Sequence, residues 1–507
     1  MDRKCGVLLP ITSLPSPHGI GCFSKEAYEF IDFLKASGQT YWQILPLGQT
    51  GYGDSPYQSF STFAGNPYMI DLEKLIDAGY LTREEVTNCD MGQQNPSYAD
   101  YGKLYENRMP LLCRAYLNSP FCLQPQEKWK NAAADEERAA FSAFIQRESG
   151  WLPDYALYSA VKKHFKGIAF TKWDEPIRIR RPEAMEEYRQ KLAEDVRFYE
   201  FLQYMFSVQW TALREYAHSK GVRLFGDLPI YVAMDSADTW SHPELFELDE
   251  KGFPTLVAGV PPDAFSETGQ LWGNPIYRWD YHKDTDYAWW MQRFRYAFQL
   301  YDVVRIDHFR GFESYWVVPA ESTDARIGEW RKGPGDDLFH VMKQTIGDEM
   351  IVAEDLGILT VAVRELLERT EYPGMKVLQF AFDADATQEY LPHNYTTNYV
   401  VYTGTHDNDT TRGWFDRLDS RRQSFVMNYA GVDNGIGVVW GLIRAAMMSV
   451  ADTAIIPMQD YLNLGSEARI NTPSTIGDNW KWRLAPGQLS QELSQSMRVL
   501  AQTFGRI

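Results

Sequence analysis

The sequence predicts an α/β chain folded as one elaborated (β/α)8, or TIM, barrel, and three observations carry that expectation. Eight short apolar runs each end in polar, Gly or Pro residues and lead into a helix-like segment. Their apolar residues are nearly continuous rather than alternating, the pattern of parallel strands buried on both faces. Strand and helix signals alternate eight times, which points to a closed barrel.

The runs, in order, are CGVLLPI (5–11), YWQILPLG (41–48), VRLFGDLPIYV (222–232), DVVRIDHF (302–309), MIVAEDLG (350–357), KVLQFAF (376–382), YVVYTGT (399–405) and TAIIPMQ (453–459). Between the first two, Ser24 is placed to cap a helix carrying Tyr28, Ile31 and Leu34, which Gly38 stops. A longer helix near 192–219 places Val196, Tyr199, Leu202, Phe206 and Trp210 at helical spacing and ends at Gly221. Thr360 opens another. Two gaps are too long for one helix. Residues 49–191, after strand two, read as a mainly helical insertion rich in Tyr, Trp and Glu, and residues 233–301, after strand three, as a second insertion with an active-site loop. No repeat, low-complexity tract or linker divides the 507 residues, so the expectation is one catalytic domain over 1–507 with both insertions packed on it.

Composition excludes several function classes. The chain is 44% hydrophobic and 23% charged, an ordinary globular balance. Net charge is −18, and the longest basic run is RIRR at 178–181, so a nucleic-acid or anionic-lipid surface is not expected and a neutral substrate is. Five scattered cysteines show no CxxC or Cys/His spacing, which argues against a disulfide framework and a structural zinc site. The opening MDRKCGVLLPITSLPSP runs straight into a strand, and no apolar stretch approaches membrane-spanning length. The expected compartment is the cytoplasm.

Barrel enzymes place their chemistry at the C-terminal ends of the strands. Here those ends carry Asp227, Asp307, Glu354, Asp383 and Asp407. Any one acid after a strand reads first as a helix cap, but capping is served equally by Ser or Thr, and five acids on one rim need another reason. Arg305 and Asp307 share a strand face, so the sequence predicts an Asp307 carboxylate held ionised by the guanidinium, fit to act as a nucleophile. Glu354 follows Val352 and Ala353 with no adjacent cation, surroundings that raise a carboxyl pKa and suit a general acid. Its neighbour Asp355 points the other way and reads as a cap. Two carboxyls biased to opposite protonation states suit glycosyl transfer, and a separation of about 5–5.5 Å gives retention of configuration. His406 and Asp407, after strand seven, are placed to grip sugar hydroxyls. A rival reading takes His406, Asp407 and Asp409 as metal ligands, but no HExxH or His-rich partner accompanies them.

Six stretches, GDSPYQSFSTFAGNPYMIDL (53–72), GDLPIYV (226–232), GQLWGNPIY (269–277), RIDHFRG (305–311), AEDLG (353–357) and GTHDND (404–409), closely resemble the amylomaltases or disproportionating enzymes, the 4-α-glucanotransferases of glycoside hydrolase family 77. The likeness runs from GVLLPITSLPS to NWKWRL near residue 484. It implies a barrel of the α-amylase type, with Asp307 as nucleophile, Glu354 as acid/base and Asp407 as the acid that stabilises the transition state. Arg305, His406, Asp227 and Asp383 match positions around the scissile sugar, and Ser55, Tyr57, Gln270, Trp272, His308 and Asn471 match further glucan contacts. Ser474 stands where the family more often has Gly. The resemblance implies no organic cofactor, no metal, and maltooligosaccharides with glucose or glucan acceptors as partners.

The acids alone serve transfer and hydrolysis equally, so an α-amylase-like hydrolase and a non-catalytic glucan-binding protein stand as alternatives. The intact acid trio speaks against the second. Exclusion of water is expected from the loop Gly252–Gly269, where Phe253, Leu256, Val257 and Phe265 are stiffened by Pro254, Pro261 and Pro262. The competing expectation is that Leu256 and Val257 only pack on the insertion.

Overall fold

The computed structural model describes residues 3–51, 53–262, 266–357, 359–383 and 386–507, the side chain of Ile436 excepted. Among the described residues, twelve strands form two sheets. The barrel strands are β1 Lys4–Leu8, β2 Tyr41–Gln43, β3 Arg223–Leu228, β6 Val303–Ile306, β9 Ile351–Ala353, β10 Gly374–Val377, β11 Tyr399–Tyr402 and β12 Thr453–Pro457. Their ladder runs β10-β11-β12-β1-β2-β3-β6-β9, parallel throughout. Each overlaps one of the eight apolar runs, with β1 starting one residue and β10 two residues ahead of its run. The two ends of the ladder meet where the Ala353 N–H donates to the Pro373 carbonyl at 2.9 Å, which closes the barrel.

Strand alternation explains why those runs are apolar on both faces. One face, with Leu8, Tyr41, Phe225, Val303, Val352, Met375, Val377, Val400, Tyr402 and Ile455, fills the lumen as a separate core. The other, with Val7, Trp42, Leu224, Val304, Ile351, Val401 and Ala454, belongs to the large core shared with the helices. Two residues beyond Phe225, Val303 and Val352 on the lumen face come Asp227, Arg305 and Glu354. The lumen core is therefore the floor of the acidic rim.

The helices named from spacing form at Lys25–Ala36, Ala193–Ser219 and Val361–Thr370, the last capped by Thr360, whose hydroxyl accepts the Val363 N–H. The long helix Ala193–Ser219 fastens the chain after β2: the Gly65 N–H donates to Gln203 and the Asp71 N–H to Gln209, both at 2.7 Å. Helices occupy most of the stretch between β2 and that helix, and their apolar side chains join the large core.

The second sheet adds strands that the expectation of an insertion with an active-site loop over 233–301 did not include. Strands β4 Leu256–Val260, β5 Gln270–Pro275, β7 Ser314–Pro319 and β8 Glu329–Lys332 pair antiparallel in the order β5-β4-β7-β8. Val257 packs with Val318 and Ala325 inside this sheet rather than over a ligand. Phe253 lies 5.2 Å from the Arg178 guanidinium, against the helical insertion. Phe265 falls outside the described residues. Of the described side chains that suggested a water-excluding loop, Val257 packs inside this sheet, Leu256 packs against the large core and Phe253 has a cationic partner.

Candidate active site

Register builds the centre of the site. Asp227 on β3 pairs with Arg305 on β6, and Ile306 with Ala353 on β9, so Asp307 and Glu354 are the next residues of neighbouring strands. The Asp307 N–H donates to the Leu228 carbonyl and the Glu354 N–H to the Ile306 carbonyl, each at 3.0 Å, extending the ladder past the strand ends. His308 then turns into the left-handed region at φ 53°. Its N–H donates to one oxygen of Glu354 at 2.8 Å, and the Leu356 N–H donates to the other at 2.8 Å. The acid is held from both sides by backbone.

The buried Arg305 guanidinium reaches both oxygens of Asp227, at 2.9 and 2.7 Å, and one oxygen of Asp307 at 2.9 Å. This reverses the expected direction of the Asp307 pKa shift. Burial, and then the neighbouring Asp227 and Asp407 charges, outweigh the one guanidinium that Asp307 shares, and its pKa rises to about 6. The Asp307 side chain keeps 29% of its surface, so it is open to a ligand on one side while protein crowds the others. Glu354 rises further, to about 7, through burial and then the charge of Asp307, against Arg305 and the two backbone donors. Burial pushes the His308 ring down to about 3, so it is neutral.

The loop after β11 supplies the opposite wall. The Asn471 amide donates to Asp407 at 2.6 Å, His406 Nε2 lies 3.4 Å from its other oxygen, and 45% of the Asp407 side chain stays exposed. Tyr57 stacks on His406 with centroids 5.1 Å apart and donates its hydroxyl to Asp227 at 2.8 Å, so one ring links the Asp227–Arg305 pair to the His406–Asp407 pair. Burial raises that phenol well above its usual range, leaving it protonated. Ser55 accepts the Tyr57 N–H at 3.3 Å. On β5 the Trp272 indole donates to Gln270 at 3.1 Å and stands edge-on to His308 at 4.8 Å.

The Asp383 carboxylate, at the end of the β10 run, is 61% exposed and paired with Arg422 at 3.3 Å. Asp355 is not a helix cap: it accepts the Met375 N–H at 2.6 Å across the β9–β10 seam. Asp409 turns away from His406 and Asp407 toward Ser466 and Arg417, which undoes the metal triad. No cluster of three metal-ligating side chains occurs among the described residues. Ser474 has φ 63°, the left-handed conformation that glycine adopts without strain, which is a physical reason for Gly at that position. Sequence reasoning missed Trp480, whose ring lies 6.0 Å from His406, and Arg469, which donates to the Asp407 carbonyl at 2.7 Å. Trp480 ends the NTPSTIGDNW stretch, and an aromatic beside a motif that supplies Asn471 was the available signal.

Comparison with known proteins gives the family. Residues 9–490 match the family model of glycoside hydrolase family 77, described as 4-alpha-glucanotransferase. The chain is 48% identical over 498 residues to a 4-alpha-glucanotransferase of Clostridium butyricum, covering 98% of this chain and 99% of that one. It is also 48% identical over 515 residues to one of Thermus thermophilus, covering all of both chains. Among solved structures, the amylomaltase of Streptococcus agalactiae in complex with acarbose superposes with a TM-score of 0.95 at 42% identity, over 99% of each chain. With the family model spanning most of its length and close relatives spanning nearly all of it, the chain belongs to the 4-α-glucanotransferases of glycoside hydrolase family 77.

Proposed function

We propose that the chain cleaves α-1,4-glucans and passes the glycosyl segment to the 4-hydroxyl of another glucan or of glucose, disproportionating maltooligosaccharides with retention of configuration. The observation that carries the reading is the register that sets Asp307 and Glu354 side by side just past the ends of β6 and β9, beside Arg305. Adjacent strands lie about 4.8 Å apart, a spacing suited to the about 5–5.5 Å between carboxyls of a retaining pair.

In this mechanism Glu354 protonates the glycosidic oxygen while Asp307 attacks the anomeric carbon, giving a covalent glycosyl-enzyme. The order of the two pKa values supports the roles, since the first proton to bind goes to Glu354. Arg305, anchored by Asp227, holds Asp307 toward the sugar. Asp407, oriented by Asn471, grips hydroxyls of the ring as it flattens toward the oxocarbenium-like state. The leaving glucan departs, an acceptor hydroxyl enters, and Glu354 removes its proton as the glycosyl bond re-forms. Tyr57, Trp272, Gln270 and His308 offer stacking and hydrogen-bonding surface for neighbouring sugars. Five free cysteines, of which Cys5, Cys22 and Cys122 are buried, fit a reducing compartment, and we place the reaction in the cytoplasm.

Incubation with maltotriose tests the reading. Glucose and a ladder of longer chains should appear with little rise in total reducing ends. A rise matching every bond broken would establish a hydrolase, and no products would leave only a binding protein.

A further inference from the structure

Behind the loop that presents His406 and Asp407 lies a carboxylate that the mechanism does not use. Asp460 sits in the short helix Met458–Tyr461 after β12 and is 1% exposed. One of its oxygens accepts the Thr403 hydroxyl and the Thr411 hydroxyl, both at 2.6 Å, and the other accepts the Thr411 N–H at 2.8 Å. Thr403 is the first residue after β11, and Thr411 the first of the helix Thr411–Asp416; both are buried. Everything between them is the loop 404–410. Asp460 therefore grips the two ends of that loop with one side chain.

The arrangement is costly. No cation pairs with Asp460 among the described residues, and a buried carboxylate balanced only by neutral donors is less favourable than an apolar side chain of similar size. Burial, with the Asp409 charge as a lesser contribution, raises its pKa. Such an expense without a charged partner points to a role in the site rather than in the core. The rest of the loop is organised to transmit the grip. The Asn408 side chain accepts from both the N–H and the hydroxyl of Thr405 at 2.9 Å, and the Asp407 N–H reaches the Thr405 hydroxyl at 3.3 Å. Gln379 donates to the Asp409 carbonyl at 2.8 Å, and Ser466 to the Asp409 carboxylate at 2.7 Å. With both ends fixed, the position of the Asp407 carboxylate follows.

We infer that Asp460 is a positioning residue for the transfer reaction, acting through Asp407 by clamping Thr403 and Thr411. The inference rests on the role given to Asp407 above. A carboxylate that acts at the transition state loses its effect when it shifts by about 1 Å, a displacement that costs on the order of 100-fold in rate. Asp460→Ala should therefore lower kcat for maltotriose by that order with KM little changed. Adding Asp460→Ala to Asp407→Asn should cost nothing more, because the group being positioned is already lost. Unchanged kcat per folded molecule, or a full multiplicative loss in the double variant, would overturn the inference. Should Asp460→Ala not fold, Thr411→Val keeps the backbone N–H and the side-chain shape while deleting one clamp, and its kcat and KM carry the same two outcomes. Wild-type protein in the same assay separates the two claims: absence of transfer there would defeat the proposed function, whatever the variants do.

Discussion

Asp307 and Glu354 show how little of a carboxyl's chemistry is fixed by its nearest cation. Arg305 lies two residues from Asp307 and does pair with it, but the same guanidinium also holds Asp227, 78 positions away in the chain. Sequence spacing exposed the first contact and hid the second, so the acids were legible and the direction of the Asp307 shift was not. The corrected values have a kinetic consequence. The working form has Asp307 ionised and Glu354 protonated, and with values near 6 and 7 it exists over a narrow range. The pH profile of kcat/KM should be a bell: an acid limb near pH 6 as Asp307 gains its proton, and an alkaline limb near pH 7 as Glu354 loses its own. A maltosyl fluoride donor needs no proton on its leaving group, so with it the alkaline limb of the glycosylation step should vanish. Persistence of that limb would take the acid role from Glu354.

Among the elements, the barrel strands were readable because burial on both faces makes them continuous apolar runs. The second sheet was not, for reasons visible in its strands. β8 is the charged stretch EWRK, β4 and β5 contain Gly259 and Gly273, and β4 pairs with a strand that begins more than fifty residues later. Neither periodicity nor composition marks such segments; only the partner strand does. The β9–β10 seam is a similar case. Asp355 looked like a helix cap because the local sequence shows only the helix ahead, whereas its acceptor role depends on Met375. A Cβ on Gly374 would sit 2.5 Å from an Asp355 oxygen, so glycine is what lets the carboxylate reach the seam. Lys376, between the rings of Tyr390 and Tyr399 at 4.8 and 4.6 Å, supplies positive charge nearby. Asp355→Ala would orphan the buried Met375 N–H, at a cost of about 1–3 kcal/mol. Hydrogen exchange should then show the Met375 amide losing protection, and kcat should fall because Glu354 is the adjacent residue. Asp355→Asn, which keeps an acceptor, should preserve both. A protected Met375 amide in the alanine variant would mean that the seam is held elsewhere.

For the whole molecule, the question is what holds the barrel at the end away from the acids. Arg506 is fully buried, and all five of its N–H groups donate to backbone carbonyls. Nε reaches Met447 at 2.8 Å; one terminal nitrogen reaches Lys4 at 2.9 Å and Asp452 at 3.2 Å; the other reaches Ser449 at 3.1 Å and Ala451 at 2.9 Å. These carbonyls belong to the start of β1, to the last turn of the helix Val438–Met448 and to the segment from that helix into β12; β1 and β12 are paired strands that come from opposite ends of the sequence. Burial pulls the guanidinium pKa down to about 10, which still leaves it charged at neutral pH. Arg506→Leu would keep the bulk and remove every donor, leaving several buried carbonyls unpaired at about 1–3 kcal/mol for each that water cannot reach. Unfolding entropy scales with length, so in a chain of this size each kcal/mol moves Tm by only about 1 °C. The expected result is a Tm lower by several degrees and a clear fall in the urea midpoint. The kcat of the folded fraction should stay at the wild-type value, because the acids stand at the opposite ends of the strands. A variant as stable as wild type would show that the carbonyls find other donors, and a kcat that falls with Tm unchanged would mean that this end of the barrel is coupled to the catalytic rim.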